Sequence, residues 1–458
     1  MKSKPNVIVF FTDQQRADTM GLQGNPLGLT PNLDALGRRG THCRNAFTCQ
    51  PVCGPARSCL QTGQYATNTG VWTNGNALRE DAVTLAKCFN EAGYRTGYIG
   101  KWHLAGVDCD YGPVPVERRG GYQDWLAADV LELVSGPYST RLWDGEGREV
   151  RLPGYRVDAM TDAAIRYCEK QSAEESPFFL FLSFLEPHHQ NSSDNYPAPP
   201  GYERQYQGSW MPPDLLSLDG TAARHWGGYC GMVKRLDEAL GRLMDALISL
   251  NIADDTIVLF TSDHGCHFKT RNGEYKRSCH EASIHIPACL WGPGLNGGGE
   301  LADMVSLVDL PPTLLEAAGI EIPDTMEGRS LLPLMRGDST GWPLEAYVQV
   351  GDRNTRMGRA IRTKRWKYGV TALPELSIGA YADAYEETHL YDLENDPYEL
   401  DNLVNAEVHA PVRETLRRRL IARMEAVGEP PAKIIPAESR HSGQREVDFP
   451  GLLTKDEA

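Results

Sequence analysis

Four compact polar clusters hold most of the residues with which this sequence could do chemistry. They are Thr12-Asp13-Gln14, Gly100-Lys101-Trp102-His103, Glu186-Pro187-His188-His189 and Thr261-Ser262-Asp263-His264-Gly265. Two aspartates with His264 suit a cation. Lysines and histidines nearby suit an anion. Both together suit an oxyanion ester held between a metal and ammonium groups. Any one cluster alone could equally supply a helix cap or a turn.

Each cluster follows an apolar run at once. The runs are Asn6–Phe11, Arg95–Ile99, Phe178–Phe184 and Thr256–Phe260, all read as strands. Helical spacing is read over Pro31–Arg39, Asp158–Glu169, Tyr229–Leu250 and Leu310–Ala318, the last closed by Gly319. Strands that alternate with helices argue for βαβ units and a mainly parallel sheet. Open sheets of this kind bind ligands outside the carboxyl ends of their strands, where the four clusters would converge. No internal repeat or low-complexity tract interrupts the pattern.

After about residue 336 the style changes. Tyr347–Val350, Arg359–Tyr368 and Leu390–Leu393 read as shorter strands, Glu407–Val427 as a basic amphipathic helix, and the tail from Gly428 as loose or surface-wrapping. The expected fold is therefore α/β. A large mixed, mainly parallel sheet is sandwiched by helices over residues 1–336. A smaller C-terminal α+β domain with an antiparallel sheet covers residues 337–458.

Composition sets limits on this reading. The chain has 458 residues, against ~150 for one typical domain, so two domains or one large domain with an appendage are expected. Hydrophobic residues at 41% and charged residues at 23% exclude global disorder. Lys and Arg number 46 against 61 Asp and Glu, a net charge of −15, which argues against nucleic acid or an anionic membrane as partner. No apolar run approaches the ~20 residues of a membrane span. Residues Met1–Pro5 lead straight into Asn6–Phe11, too little for a signal peptide, so a cytoplasmic location is expected, or a periplasmic one if a leader has been removed. The 11 Cys are odd in number and scattered, which suits reduced thiols. Cys49 and Cys53 lack the second pair that a zinc knuckle needs.

One further motif is more specific. Cys53-Gly54-Pro55-Ala56-Arg57, continued by Ser58-Cys59-Leu60-Gln61-Thr62-Gly63, resembles the C-x-P-x-R signature of type I sulfatases in the alkaline-phosphatase-like superfamily. The resemblance extends through Thr30-Pro31-Asn32-Leu33-Asp34, Gly100-Lys101-Trp102-His103, Asp263-His264-Gly265, Asp309-Leu310-Pro311-Pro312-Thr313 and Leu390-Tyr391-Asp392-Leu393-Glu394-Asn395-Asp396-Pro397. Pro55 suits the first turn of a helix, whose N-terminal amides favour an anion. Taken alone, Cys53 could be a buried structural thiol.

The resemblance implies sulfuric ester hydrolysis and conversion of Cys53 to formylglycine by a maturation enzyme. One hydroxyl of the aldehyde hydrate attacks sulfur, and deprotonation of the second releases sulfate. The resemblance also implies site roles. Asp13, Gln14, Asp263 and His264 form the metal shell. Arg57 holds the hydrate. Lys101 and His103 contact the nucleophile and sulfate, with His103 as base. His188 and Lys276 contact the sulfate and the leaving oxygen, and one of them donates the proton. His189 competes with His188, because the family's Pro-His-x-Pro ends here in Gln190.

Two departures bear on the metal. Many sulfatases carry Asp-Asp and Asp-Asn where this chain has Asp13-Gln14 and Asp263-His264. Ca²⁺ remains the first expectation, but an imidazole favours Mn²⁺ or another transition metal. His264 also resembles phosphonate monoester and phosphodiester hydrolases, the alternative on this scaffold; an unmodified Cys53 would leave an anion-binding protein. Loops at 105–134, 190–213, 267–279 and 352–359 carry Trp, Tyr, Arg and His suited to a sugar, so a sulfated carbohydrate is the expected substrate. Arg353, Arg356 and Arg359 are either contacts for a second anionic group or surface arginines on a hairpin.

Overall fold

The computed structural model describes residues 4–352, 355–373 and 377–440. Ten strands form the large sheet. They are β1 (Asn6–Thr12), β2 (Thr41–Phe47), β3 (Arg95–Lys101), β4 (Asp124–Ala128), β5 (Thr140–Asp144), β6 (Glu149–Leu152), β7 (Phe178–Ser183), β8 (Thr256–Ser262), β9 (Ala288–Trp291) and β10 (Gly299–Ser306). Their order is β10-β2-β9-β8-β1-β7-β3-β4-β5-β6. The central run β8-β1-β7-β3-β4 is parallel throughout. β9, β5 and β6 pair antiparallel with their neighbours, so the sheet is mixed.

The apolar runs are continuous because both faces of the sheet are covered. Val7, Val9 and Phe11 pack into one layer with Leu60, Phe89 and Leu314. Ile8 and Phe10 pack into the other with Leu33, Met160 and Leu240. Burying one such side chain is worth about 1.5–3 kcal/mol. A slip of one residue would exchange the two sets between unlike layers, which fixes where each strand ends.

A second sheet follows, led by β11 (Glu345–Asp352), β12 (Thr355–Thr363) and β13 (Trp366–Ala372), all antiparallel. Ala384–Asp392 continues it antiparallel, and Lys433–Ile435 adds a short parallel edge. The helix Ala410–Ala426 buries Val412, Leu416, Leu420 and Met424, four residues apart. The expected fold class is thus borne out: a large mixed sheet within helices, and a smaller C-terminal domain with an antiparallel sheet.

Several details differ from expectation. The segment read as one strand, 359–368, is the inner part of a hairpin that turns at Lys364-Arg365. The long helix starts earlier, spanning Ala222–Ser249. Of the two readings of the tail, loose or surface-wrapping, the loose one does not hold through residue 440. Glu429 is buried, and Lys433–Ile435 joins the sheet. All eleven cysteines are buried free thiols, as the odd count suggests. Among the described residues no helix is long and apolar enough to cross a membrane.

Candidate active site

The four clusters meet at the carboxyl ends of β8, β1, β7 and β3. Thr12 and Ser262 close adjacent strands in register, so Asp13 and Asp263 emerge side by side. Lys101 is the last residue of β3. His188 follows β7 after a turn in which its N–H bonds the Leu185 carbonyl. Cys53 is the first residue of the helix Cys53–Thr62, with Pro55 in the first turn. The Gly54 amide donates to Asn74 Oδ1 at 2.9 Å.

Cys53 Sγ stands at the centre of the cluster. Lys276 Nζ lies 2.8 Å away, His264 Nε2 3.3 Å and Asp13 Oδ1 3.6 Å. Lys276 Nζ is also 3.2 Å from His188 Nε2. Asp13 divides its oxygens between two tasks. Oδ2 accepts from Arg57 Nη2 at 2.9 Å and from Lys101 Nζ at 2.8 Å. Oδ1 faces Cys53 and, at 3.8 Å, His264 Nε2. Arg57 Nη1 is held by the Lys101 carbonyl and Ser183 Oγ, both at 2.8 Å.

Asp13, Cys53, Asp263 and His264 each offer one ligand atom, and these atoms all lie within 4.8 Å of one another. Three observations fit a cation there. Asp263 Oδ2 and Gln14 Oε1 are buried without a hydrogen-bond partner among the described residues. Gln14 Nε2 is committed to Tyr196 Oη at 3.0 Å, which leaves its carbonyl oxygen as the free end. His264 Nδ1 lies 2.9 Å from the Gly265 carbonyl, so it carries the proton and turns the other ring nitrogen toward the two carboxylates.

The electrostatics agree. Burial and the neighbouring Asp13 push Asp263 up to about 6. Burial and the Cys53 charge act upward on Asp13, but Lys101, His188 and Arg57 hold it below the usual carboxylate range. Burial alone would raise the Cys53 thiol. Lys101, Lys276, His264 and a hydrogen bond with His103 instead hold it well below its ordinary value. A helix N-terminus adds to this preference for negative charge at position 53.

Gln14 and His103 adopt left-handed backbone conformations, φ 69° and 60°. Such strain persists only where surrounding bonds over-determine it. Gln14 donates its amide to Asp263 Oδ1 at 2.9 Å and accepts from Tyr229 Oη at 2.9 Å. The His103 amide donates to the Asp129 carbonyl at 2.9 Å.

All ten candidate residues thus lie on this one rim. His189 does not share the contact with Lys276; its ring stacks on His188 at 4.2 Å and lies tilted against Tyr275 at 4.4 Å. Arg359 is neither a surface residue nor available to a substrate, since it is 2% exposed and bonds Glu429 at 2.7 Å. Arg356 is exposed, and Arg353 lies outside the described residues. Sequence reasoning missed Ser183, Asn74 and Glu132. Ser183 is the lone polar residue of its strand. Glu132 interrupts the apolar Leu131–Val134 and accepts from Lys101 Nζ at 2.8 Å.

A family model described as Sulfatase matches residues 5–320, and one described as N-sulphoglucosamine sulphohydrolase, C-terminal, matches residues 273–426. The chain belongs to the sulfatase family. An ulvan-active sulfatase from Formosa agariphila is 31% identical over 421 residues, covering 88% of this chain and 81% of its own. An N-acetylglucosamine-6-O-sulfatase from Bacteroides thetaiotaomicron is 24% identical over 500 residues, covering 91% and 86%. The YidJ structure from Bacteroides fragilis superposes with a TM-score of 0.81 at 26% identity, covering 93% of this sulfatase and 97% of its own chain. This sulfatase is a sulfuric ester hydrolase of the alkaline-phosphatase-like superfamily.

Proposed function

We propose that this sulfatase releases inorganic sulfate from a sulfated carbohydrate, with position 53 matured to formylglycine beside one divalent cation. The observation that carries the reading is the position of Cys53. It opens a helix, touches the Lys276 ammonium at 2.8 Å, and shares a 4.8 Å cluster with Asp13, Asp263 and His264. The family implies both the cation and the formylglycine. The carbohydrate is supported by the ulvan and N-acetylglucosamine-6-sulfate activities of the two relatives.

Asp13, Asp263, Gln14 and His264 would hold the cation, which would neutralise charge on the ester and favour the ionised nucleophile. Ca²⁺ is the proposed ion; the nitrogen donor of His264 makes Mn²⁺ the competing result of a metal analysis. The aldehyde hydrate would supply the attacking hydroxyl and a second hydroxyl whose deprotonation frees sulfate. Arg57 and Lys101 share Asp13 Oδ2, which orients the carboxylate and keeps two positive charges beside the ester. Lys276 and His188 are 3.2 Å apart, and one of them protonates the leaving oxygen. His103 accepts the proton that release requires. Cys53 is 1% exposed, so the maturation enzyme must reach it before the chain closes.

The domain boundary is proposed near residue 336, between the short helix Leu332–Met335 and β11. The test of function is sulfate release by the matured enzyme from an aryl sulfate and a panel of saccharide sulfates, with a phosphonate monoester as control. Turnover of saccharide sulfates above the other two supports the reading. Preference for the phosphonate would replace it with the alternative on the same scaffold.

A further inference from the structure

Glu132 is a buried carboxylate that the family motifs leave without a task. It sits in the short helix Leu131–Val134, and its side chain is 5% exposed. Oε1 accepts from Lys101 Nζ at 2.8 Å. Oε2 has no hydrogen-bond partner among the described residues. Burial would raise this carboxyl, but Lys101, His103 and His188 hold it below its ordinary range, so it is ionised. A buried, ionised oxygen left without a donor is costly.

Through Oε1 and Lys101 the carboxylate is tied to the catalytic cluster. The Glu132 carboxylate interacts electrostatically with Lys101, His103, His188 and Cys53, the groups that ring the nucleophile. The backbone is fixed independently. Gln190 Nε2 donates to the Glu132 carbonyl at 3.0 Å and to the Ser135 carbonyl at 3.1 Å. Arg156 also donates to the Ser135 carbonyl. Gln190 occupies the position where the family pattern carries proline, a residue with no side-chain donor. The departure in the His188 motif and the placement of Glu132 are therefore one structural feature.

We propose that Glu132 is a specificity residue whose free oxygen accepts a hydrogen bond from a hydroxyl or N–H on the leaving group, next to the scissile ester. This rests on the sulfatase reading above and deepens it. A polyhydroxylated leaving group satisfies the oxygen; an aryl group cannot. A site built to bind a donor discriminates against the analogue that lacks it, because its own buried group is then left unpaired.

The experiment compares matured wild type, Glu132→Gln and Glu132→Ala. The probes are 4-nitrophenyl sulfate, the saccharide monosulfate that the wild type turns over fastest, and that saccharide with the neighbouring hydroxyl replaced by hydrogen. The expected result is a loss of kcat/KM on the saccharide that exceeds the loss on the aryl sulfate by about 10- to 100-fold for E132A. E132Q should recover part of the difference, and the deoxy saccharide should behave as the aryl sulfate does. Equal losses on all three probes would overturn the proposal and leave Glu132 as a support for Lys101. No loss on any probe would overturn it too. Absence of wild-type turnover on every ester would defeat the underlying reading, and this proposal with it.

Discussion

Lys276 Nζ lies 2.8 Å from Cys53 Sγ, although 223 residues separate them in the chain. The contact joins a loop to the first residue of a helix. The loop is pinned for this purpose. His267 Nε2 and Asn272 Nδ2 both bond the Lys276 carbonyl, and Arg277 turns away to Asp352 at 2.9 Å. Of the basic residues in that stretch, Lys276 is the one directed at position 53.

Lys276→Ala is expected to lower kcat/KM on a saccharide sulfate by about 10²–10⁴-fold, the range for loss of a general acid. The loss should be smaller on 4-nitrophenyl sulfate, whose leaving oxygen needs less protonation. Steady-state kinetics on the two substrates measure the difference. Equal losses would assign Lys276 to sulfate binding instead.

Asp13→Asn should abolish both metal retention and turnover. The substitution also leaves Arg57 and Lys101 buried beside a neutral amide. Breaking a buried ion pair from one side costs about 3–5 kcal/mol. Metal analysis after dialysis should find the variant substoichiometric, and denaturant unfolding should show the loss of stability.

Asp309 offers a pH test away from the site. Its carboxylate accepts from the amides of Ser306 at 2.7 Å and Arg329 at 2.8 Å, and burial pushes it up to about 6. A carboxyl raised in the folded state stabilises the fold most below its unfolded value, and that contribution is lost as pH rises through about 6. Moving from pH 7.5 to pH 5 should therefore gain about 1 kcal/mol from this residue. Asp309→Asn should remove that gain from the difference between unfolding free energies at the two pH values.

Glu429→Ala should destabilise the C-terminal sheet. Glu429 accepts from Arg359 Nε, Tyr347 Oη and Gln349 Nε2, all at 2.7 Å at their shortest, and is 4% exposed. Leaving the Arg359 guanidinium buried without its partner costs about 3–5 kcal/mol. A chain ended after Gly428 should lose at least as much, because the edge strand Lys433–Ile435 goes with Glu429, and this is read as a lower unfolding midpoint.

These outcomes depend on parts of the molecule that differ in how clearly the sequence displays them. The central strands are legible because helices cover both faces, so Val7 through Phe11 and Phe178 through Leu182 read as unbroken apolar runs. Thr41–Phe47 and Glu149–Leu152 are not. They carry His42, Arg44 and Asn45, or Glu149 and Arg151, on strands far from the buried centre of the sheet. The clusters at Asp13, Lys101, His188 and Asp263 are legible because each directly follows such a run. Glu132 and Asn74 are not, since their contacts with Lys101 and Gly54 exist only after the chain has folded. The choice between a loose and a surface-wrapping tail is not legible for the same reason: Pro and charge suit both, and the partner of Glu429 is an arginine seventy residues earlier.

The most direct test of the account is peptide mass spectrometry across Cys53, on protein produced with a formylglycine-generating enzyme, with sulfate release measured on the same sample. The expected result is a formylglycine mass at position 53 and turnover that rises with the converted fraction. A Cys53 found wholly as thiol in protein that still hydrolyses sulfate esters would contradict the mechanism. A fully converted residue without turnover on any sulfate ester would contradict the proposed function.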